Sequence, residues 1–208
     1  MPDVPQVPDP LSSVTRPFSA AIFDCDGTLA DTMPLHYRAW TETLEARKAH
    51  LSEQLFYDLG GVPTVDIVRI LNDRFGYGLD PEETAAAKEA RYEDLLHHAL
   101  PVERVCSLVR EYAGRYPMAV ASGGLRRLVD QTIAALGLTE CFQAICTAED
   151  VERGKPEPDL FILAARRIGA APEDCVVFED SDLGLEAARR AGMQWVDIRP
   201  WLPARETE

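Results

Sequence analysis

Basic residues are scarce in this 208-residue sequence: 21 lysines and arginines stand against 35 aspartates and glutamates, for a formal net charge of -14. Such a surface does not suit general attraction to nucleic acid or anionic lipid. An anionic substrate would need local attraction from a metal ion, a lysine or helix N-termini. No apolar run approaches the roughly 20 residues of a membrane span. The opening MPDVPQVPDPLSSV has neither a basic segment nor an apolar core, so no secretory signal is expected. The five cysteines (Cys25, Cys106, Cys141, Cys146 and Cys175) are odd in number and form no CxxC pair. They are expected to be reduced, mostly buried thiols in a cytoplasmic protein.

What remains is an ordinary globular composition, 46% hydrophobic and 27% charged, long enough for one large domain or a core plus a smaller unit. Residues 1–17 hold five of the fifteen prolines and read as a flexible or extended arm. Short apolar runs at 20–23, 118–121, 144–146, 175–178 and 195–198 are buried-strand candidates. Helical periodicity at 125–136, 160–168 and 183–191 stops each time at a glycine. Strands alternating with helices imply an α/β fold with a parallel sheet. The stretch from Met33 to Leu108 is different, with helical patterns and almost no strand candidates. Within it, Asp80-Pro81-Glu82-Glu83 has the order of an N-cap, a proline opening a helix and a capping acid. The expected layout is a Rossmann-like α/β core of residues 18–32 and 106–200, with a small all-helical cap of residues 33–105 inserted after the first strand.

Four strand ends carry the chemistry. The first runs into Phe23-Asp24-Cys25-Asp26-Gly27-Thr28, where Gly27 allows a turn that aims Asp24 and Asp26 into one crevice. Two such carboxylates need a cation or a shared proton, and a carboxylate can also attack phosphorus. A turn with two solvated aspartates is the plainer alternative. The second end is Ser122-Gly123-Gly124, whose small residues and hydroxyl suit a phosphate, or merely a turn. The third is Lys155 between Gly154 and Pro156, a charge-neutralising lysine or a surface one. The fourth is Glu179-Asp180, a second acid pair, followed by Asp182 as a helix N-cap. In a parallel sheet all four ends meet at one edge, and together they make a phosphoryl-transfer site.

In order and spacing, these motifs resemble those of the haloacid dehalogenase-like superfamily over residues 18–198. The resemblance implies that Asp24 attacks phosphorus while Asp26 serves as acid, then base. It also implies that Asp24, the Asp26 carbonyl and Asp180 bind Mg²⁺, with Glu179 as a ligand or just behind, and that Ser122, Gly123 and Lys155 hold the phosphoryl group. An aspartate at position 26 points to phosphatases and mutases rather than dehalogenases. The segment from Asp31 to Trp40 resembles the first cap helix of the beta-phosphoglucomutase-like subgroup. One hinge is expected at Thr32 to Pro34 and another near Val102 to Cys106, with His36 facing the site and Thr64 and Arg69 as cap contacts. A mutase must hold a second phosphate. Here Thr64 stands where the mutase resemblance predicts an arginine, and Gly124-Leu125 where it predicts serine and lysine. Arg69, Arg126 and Arg127 could compensate, though from other positions. The expectation is therefore a monomeric phosphatase acting on a small phosphorylated metabolite, fructose 1-phosphate first, with a beta-phosphoglucomutase-type isomerase second. A non-catalytic binding protein is a distant third, because no motif position is lost.

Overall fold

The structure is a computed structural model that describes residues 12–202. Five strands, β1 (Ala20–Phe23), β4 (Met118–Ala121), β5 (Ala144–Cys146), β6 (Cys175–Glu179) and β7 (Gln194–Asp197), form a parallel sheet in the order β5-β4-β1-β6-β7. The chain folds this way because its three central strands are apolar on both faces. Ala21, Phe23, Val120 and Phe178 face α5 (Glu103–Tyr112) and α6 (Arg126–Ala135). Their neighbours Ala20, Ile22, Ala119 and Val177 face α7 (Asp159–Arg167) and α8 (Asp182–Arg190). Continuous apolar strands covered on both sides are what a parallel sheet requires. Register then sets the site: Phe23 pairs with both Val120 and Phe178, so the three chains leave the sheet at one level. The rings of Phe23 and Phe178 stack at 4.6 Å just beneath that edge.

Between β1 and α5 the chain makes a helical insertion: α1 (Met33–Glu45), α2 (Glu53–Asp58), α3 (Thr64–Phe75) and α4 (Pro81–Leu95). It has its own core of Trp40, Leu44, Leu51, Phe56, Val68 and Leu71. The Asp80 side chain caps α4 as its sequence suggests, and Gly76 ends α3 in the left-handed conformation. Both crossings lie in a two-residue antiparallel ladder that the apolar patterning does not reveal, β2 (Ala30–Asp31) against β3 (Leu100–Pro101). The second crossing is therefore at Leu100–Pro101. Val102 to Cys106, where a hinge was expected, lead into and open α5, whose Val105 and Cys106 are fully buried in the main core.

The proline-rich start needs a similar correction. Residues 1–11 lie outside the described residues, and the rest of the expected flexible arm is engaged. The Gln194 carboxamide accepts from the Thr15 and Arg16 amides at 3.0 and 2.9 Å and donates to the Arg16 carbonyl at 3.0 Å. A buried carboxamide on an edge strand needs such partners, and this one finds them in the chain start. Among the described residues all five cysteines are unpaired, and no helix is long and apolar enough to cross a membrane.

The central stack should dominate stability. Phe178→Ala is expected to cost about 3–5 kcal/mol in urea unfolding. Leu100→Ala, at a residue that is 67% exposed, should stay within about 0.5 kcal/mol.

Candidate functional site

Asp24 follows β1 directly, and its amide donates to the Phe178 carbonyl at 3.0 Å, which extends the ladder by one residue. The side chain is thereby held at the mouth of the sheet. There the Lys155 Nζ lies 2.6 Å from Asp24 Oδ1 and 2.7 Å from Glu179 Oε2. Glu179 ends β6, and its other oxygen, Oε1, accepts from the Ser181 hydroxyl at 2.7 Å, the Ser181 amide at 3.0 Å and the Asp180 amide at 3.2 Å. Asp180 Oδ1 accepts from the Thr28 hydroxyl at 2.8 Å. Two glycines make room for these acids. A Cβ at Gly27, where φ is +86°, would lie 2.2 Å from Asp180 Oδ2, and one at Gly184 would lie 2.0 Å from the Glu179 carboxyl carbon. The N-cap of α8 is Ser181, whose hydroxyl accepts from the Gly184 amide at 3.1 Å. Asp182, expected in that role, is one residue too far on and pairs at the surface with Arg199.

The charges of this cluster do not balance. Carboxylate oxygens of Asp24, Glu179 and Asp180 lie within 4.8 Å of one another, with one ammonium among them. Burial, then repulsion from Glu179, pushes the Asp24 carboxyl well above the usual range despite Lys155. The same two causes raise Asp180 to about 7. Burial alone would favour neutral Lys155, but Asp24 and Glu179 outweigh it and hold the ammonium charged. Hard oxygen donors with excess negative charge fit a divalent cation. Asp24 and Asp180 are the open donors. Glu179 already accepts four hydrogen bonds, which suits it to holding Lys155 and the loop in place.

Asp26 faces the other way. Its Oδ1 accepts from the Thr32 hydroxyl at 2.8 Å and the Tyr92 hydroxyl at 3.1 Å, and lies 3.3 Å from His36 Nε2. Its carboxylate is not part of the three-acid cluster, so any metal contact from this residue falls to its backbone carbonyl. Burial works against its charge, but the His36 contact and the two hydroxyls prevail and hold it well below the usual carboxylate range. Thr32 is the N-cap residue of α1, yet its hydroxyl donates to Asp26 instead of capping the helix.

His36 is fixed in turn by α4. Its ring stacks on Tyr92 at 3.7 Å, and its Nδ1 lies 2.8 Å from the Lys88 Nζ. An ammonium only donates, so Nδ1 accepts and Nε2–H donates to Asp26. Burial, then the Lys88 charge, lowers the pKa of His36 below its ordinary value. Lys88 also donates to Glu89 Oε1 at 3.0 Å, and Thr64 donates to the same oxygen at 2.6 Å. A continuous polar path thus runs Thr64–Glu89–Lys88–His36–Asp26.

Ser122 is buried after β4, and its hydroxyl accepts from the Gly124 amide at 3.0 Å. A Cβ on Gly124 would sit 3.3 Å from Asp26 Oδ2, so this turn closes directly on Asp26, with Gly123 exposed beside it. Arg69 is not brought to the site, contrary to expectation. It lies on the exposed side of α3, paired with Asp66 at 2.7 Å and Glu82 at 3.4 Å. Arg126 pairs with Asp150 at 2.6 Å, and Arg127 with Glu93. The sequence reading missed Lys88, Glu89 and Tyr92. The signal lay in a lysine inside an apolar helical stripe, because Thr84, Lys88, Tyr92 and Leu95 share the buried face of α4.

Comparison with known proteins gives the family. Residues 18–192 match the haloacid dehalogenase-like hydrolase family. The chain is 38% identical over 182 residues to the fructose-1-phosphate phosphatase YqaB of Escherichia coli, covering 88% of this chain and 97% of that one. It is 30% identical over 179 residues to a phosphorylated carbohydrates phosphatase of Thermotoga maritima, covering 84% and 82%. Among solved structures, a mutant of CbbY from Rhodobacter sphaeroides in complex with xylulose 1,5-bisphosphate superposes with a TM-score of 0.75 at 29% identity, covering 86% and 84%. The chain is a phosphoric monoester hydrolase and belongs to the haloacid dehalogenase-like hydrolases, in their beta-phosphoglucomutase-like, sugar-phosphate phosphatase subgroup.

Proposed function

We propose that this hydrolase is a Mg²⁺-dependent phosphatase of small sugar phosphates, fructose 1-phosphate first, acting through an aspartyl-phosphate on Asp24. The observation that carries the reading is the unequal environment of two aspartates at one strand end. Asp24 sits against Lys155 in the acid cluster, whereas Asp26 is held by hydroxyls and an imidazole from the insertion side. Neighbouring carboxylates with different surroundings divide nucleophile from acid/base.

An Asp24 oxygen forms a bond to phosphorus as the ester P–O bond breaks, and Asp26 gives its proton to the departing sugar oxygen. Water then attacks the phosphorus of the aspartyl-phosphate, Asp26 takes its proton, and the Asp24 O–P bond breaks to release inorganic phosphate. Lys155 keeps Asp24 oriented and offsets phosphoryl charge, and the Ser122 turn supplies a hydroxyl and backbone amides. Mg²⁺ held by Asp24, Asp180 and the Asp26 carbonyl would neutralise the charge that the cluster and the phosphoryl oxygens accumulate. The hydrogen bonds on Asp26 favour its carboxylate, the form that accepts the proton of water, and the proton taken there is the one it gives to the next departing sugar oxygen. For hydrolysis over phosphoryl relocation, the support is that Arg69, Arg126 and Arg127 are all paired with acids. The substrate reading rests on the YqaB and Thermotoga relatives.

A phosphate-ester panel tests the activity. Phosphate release should require Mg²⁺ and fall by about three orders of magnitude or more in Asp24→Asn; undiminished turnover in that variant would remove Asp24 as nucleophile. Thermal stability tests the metal without turnover. The folded-state pKa of Asp180 is raised, so with chelator present its contribution is intact at low pH and is lost as pH rises toward about 7. Scans from pH 4.5 to 7.5, a window of about three units around that titration, should show melting falling with chelator and recovering with Mg²⁺ at the upper end. Equal curves with and without Mg²⁺ would contradict a metal site here.

A further inference from the structure

The polar path from Asp26 ends in a carboxylate. Glu89, on α4 beside Lys88, is only 15% exposed in its side chain. Both of its hydrogen bonds, from Lys88 and from Thr64, fall on Oε1. Among the described residues none falls on Oε2. Burial opposes its charge, but Lys88 and these bonds prevail and keep the carboxyl below its ordinary range.

Its partners place it between the turn before α3 and the His36–Asp26 contact. Thr64 opens α3 after Gly60-Gly61-Val62-Pro63, and a Cβ on Gly61 would lie 3.5 Å from Leu183 and 3.6 Å from the Ser181 hydroxyl. This turn therefore rests on the core segment that follows Asp180. On its other side, Glu89 is joined through Lys88 to His36, which touches Asp26. Along the polar path that reaches Asp26, the insertion thus carries a carboxylate oxygen, a threonine and a lysine whose charge is already paired. The arginines that could have reversed that balance pair elsewhere.

We infer that Glu89 is a specificity-determining residue: its carboxylate, held by Lys88 and Thr64, accepts hydrogen bonds from hydroxyls at the non-reacting end of a sugar monophosphate and repels a second phosphate there. This rests on the phosphatase reading above. The architecture alone does not impose such a choice, because a mutant of CbbY from Rhodobacter sphaeroides, of similar fold, is seen in complex with a bisphosphate. Discrimination of this kind comes from a repulsive group as much as from attractive ones. A sugar hydroxyl donates to Oε2, whereas a phosphate dianion brings only acceptors and like charge.

The test compares kcat/KM for fructose 1-phosphate and fructose 1,6-bisphosphate, and for the corresponding glucose pair, in wild type, Glu89→Gln and Glu89→Asp. Wild type should prefer each monophosphate by about 100-fold. Glu89→Gln should narrow that preference by about 10-fold or more, and Glu89→Asp, which keeps the charge, should largely retain it. The ratio is the readout, so any general loss from a disturbed Lys88 cancels. Wild type that cleaves bisphosphates as readily as monophosphates would overturn the inference, a reading that needs no variant to fold. So would an unchanged ratio in Glu89→Gln. If wild type cleaves no ester with Mg²⁺, the phosphatase reading fails first and this inference falls with it.

Discussion

A single buried ammonium sets the order of the whole site. Lys155 bridges Asp24 and Glu179, which end adjacent strands and would otherwise repel each other in a region almost closed to water. Removing one partner from such an arrangement leaves uncompensated buried charge, which is far more costly than the pair itself is stabilising. One ammonium does not neutralise three acids, so the cluster stays short of positive charge. A divalent cation and a substrate held by it would complete the balance. The fold and the chemistry are linked through that deficit, because the parallel register brings the acids to one level whether or not their charges are met.

The second link runs through the insertion. Asp26 belongs to the core by sequence, but its side-chain partners come from the β2–α1 junction, α1 and α4. Any movement of the insertion about the β2–β3 ladder would change Thr32 little and His36 and Tyr92 more. The surroundings of Asp26 are therefore assembled by the docked insertion, whereas those of Asp24 are assembled by the sheet and the Lys155 loop. Closure that both excludes water and completes the constellation is a common way to tie chemistry to substrate binding.

The core was largely legible in the sequence because two simple signals agreed. Apolar runs marked the five strands to within a residue, and glycines marked the ends of α6, α7 and α8. Asp24, Glu179 and Asp180 were legible because each sits at or just past a strand end, where a parallel sheet must place it at the binding edge, whereas Lys155 lies farther on, in the loop between β5 and α7. Less accessible were features built by tertiary pairing. The β2–β3 ladder has two residues on each side and no periodicity to detect. Gln194 offers no local hint that it clasps the chain start. Arg69 looked like a phosphate ligand by charge alone, but Asp66 lies three residues earlier on the same helix and captures it. Lys88 and Tyr92 became meaningful only when α4 was laid against α1, although a lysine on an apolar face was a usable sign.

The most direct measurement concerns where the phosphoryl group goes. Wild-type protein turning over fructose 1-phosphate with Mg²⁺, quenched in acid and mapped by peptide mass, should carry phosphate on Asp24, and Asp26→Asn should hold it there longer. Continued release of phosphate with no phosphorylated Asp24, or with the group on another residue, would contradict the division of labour between the two aspartates.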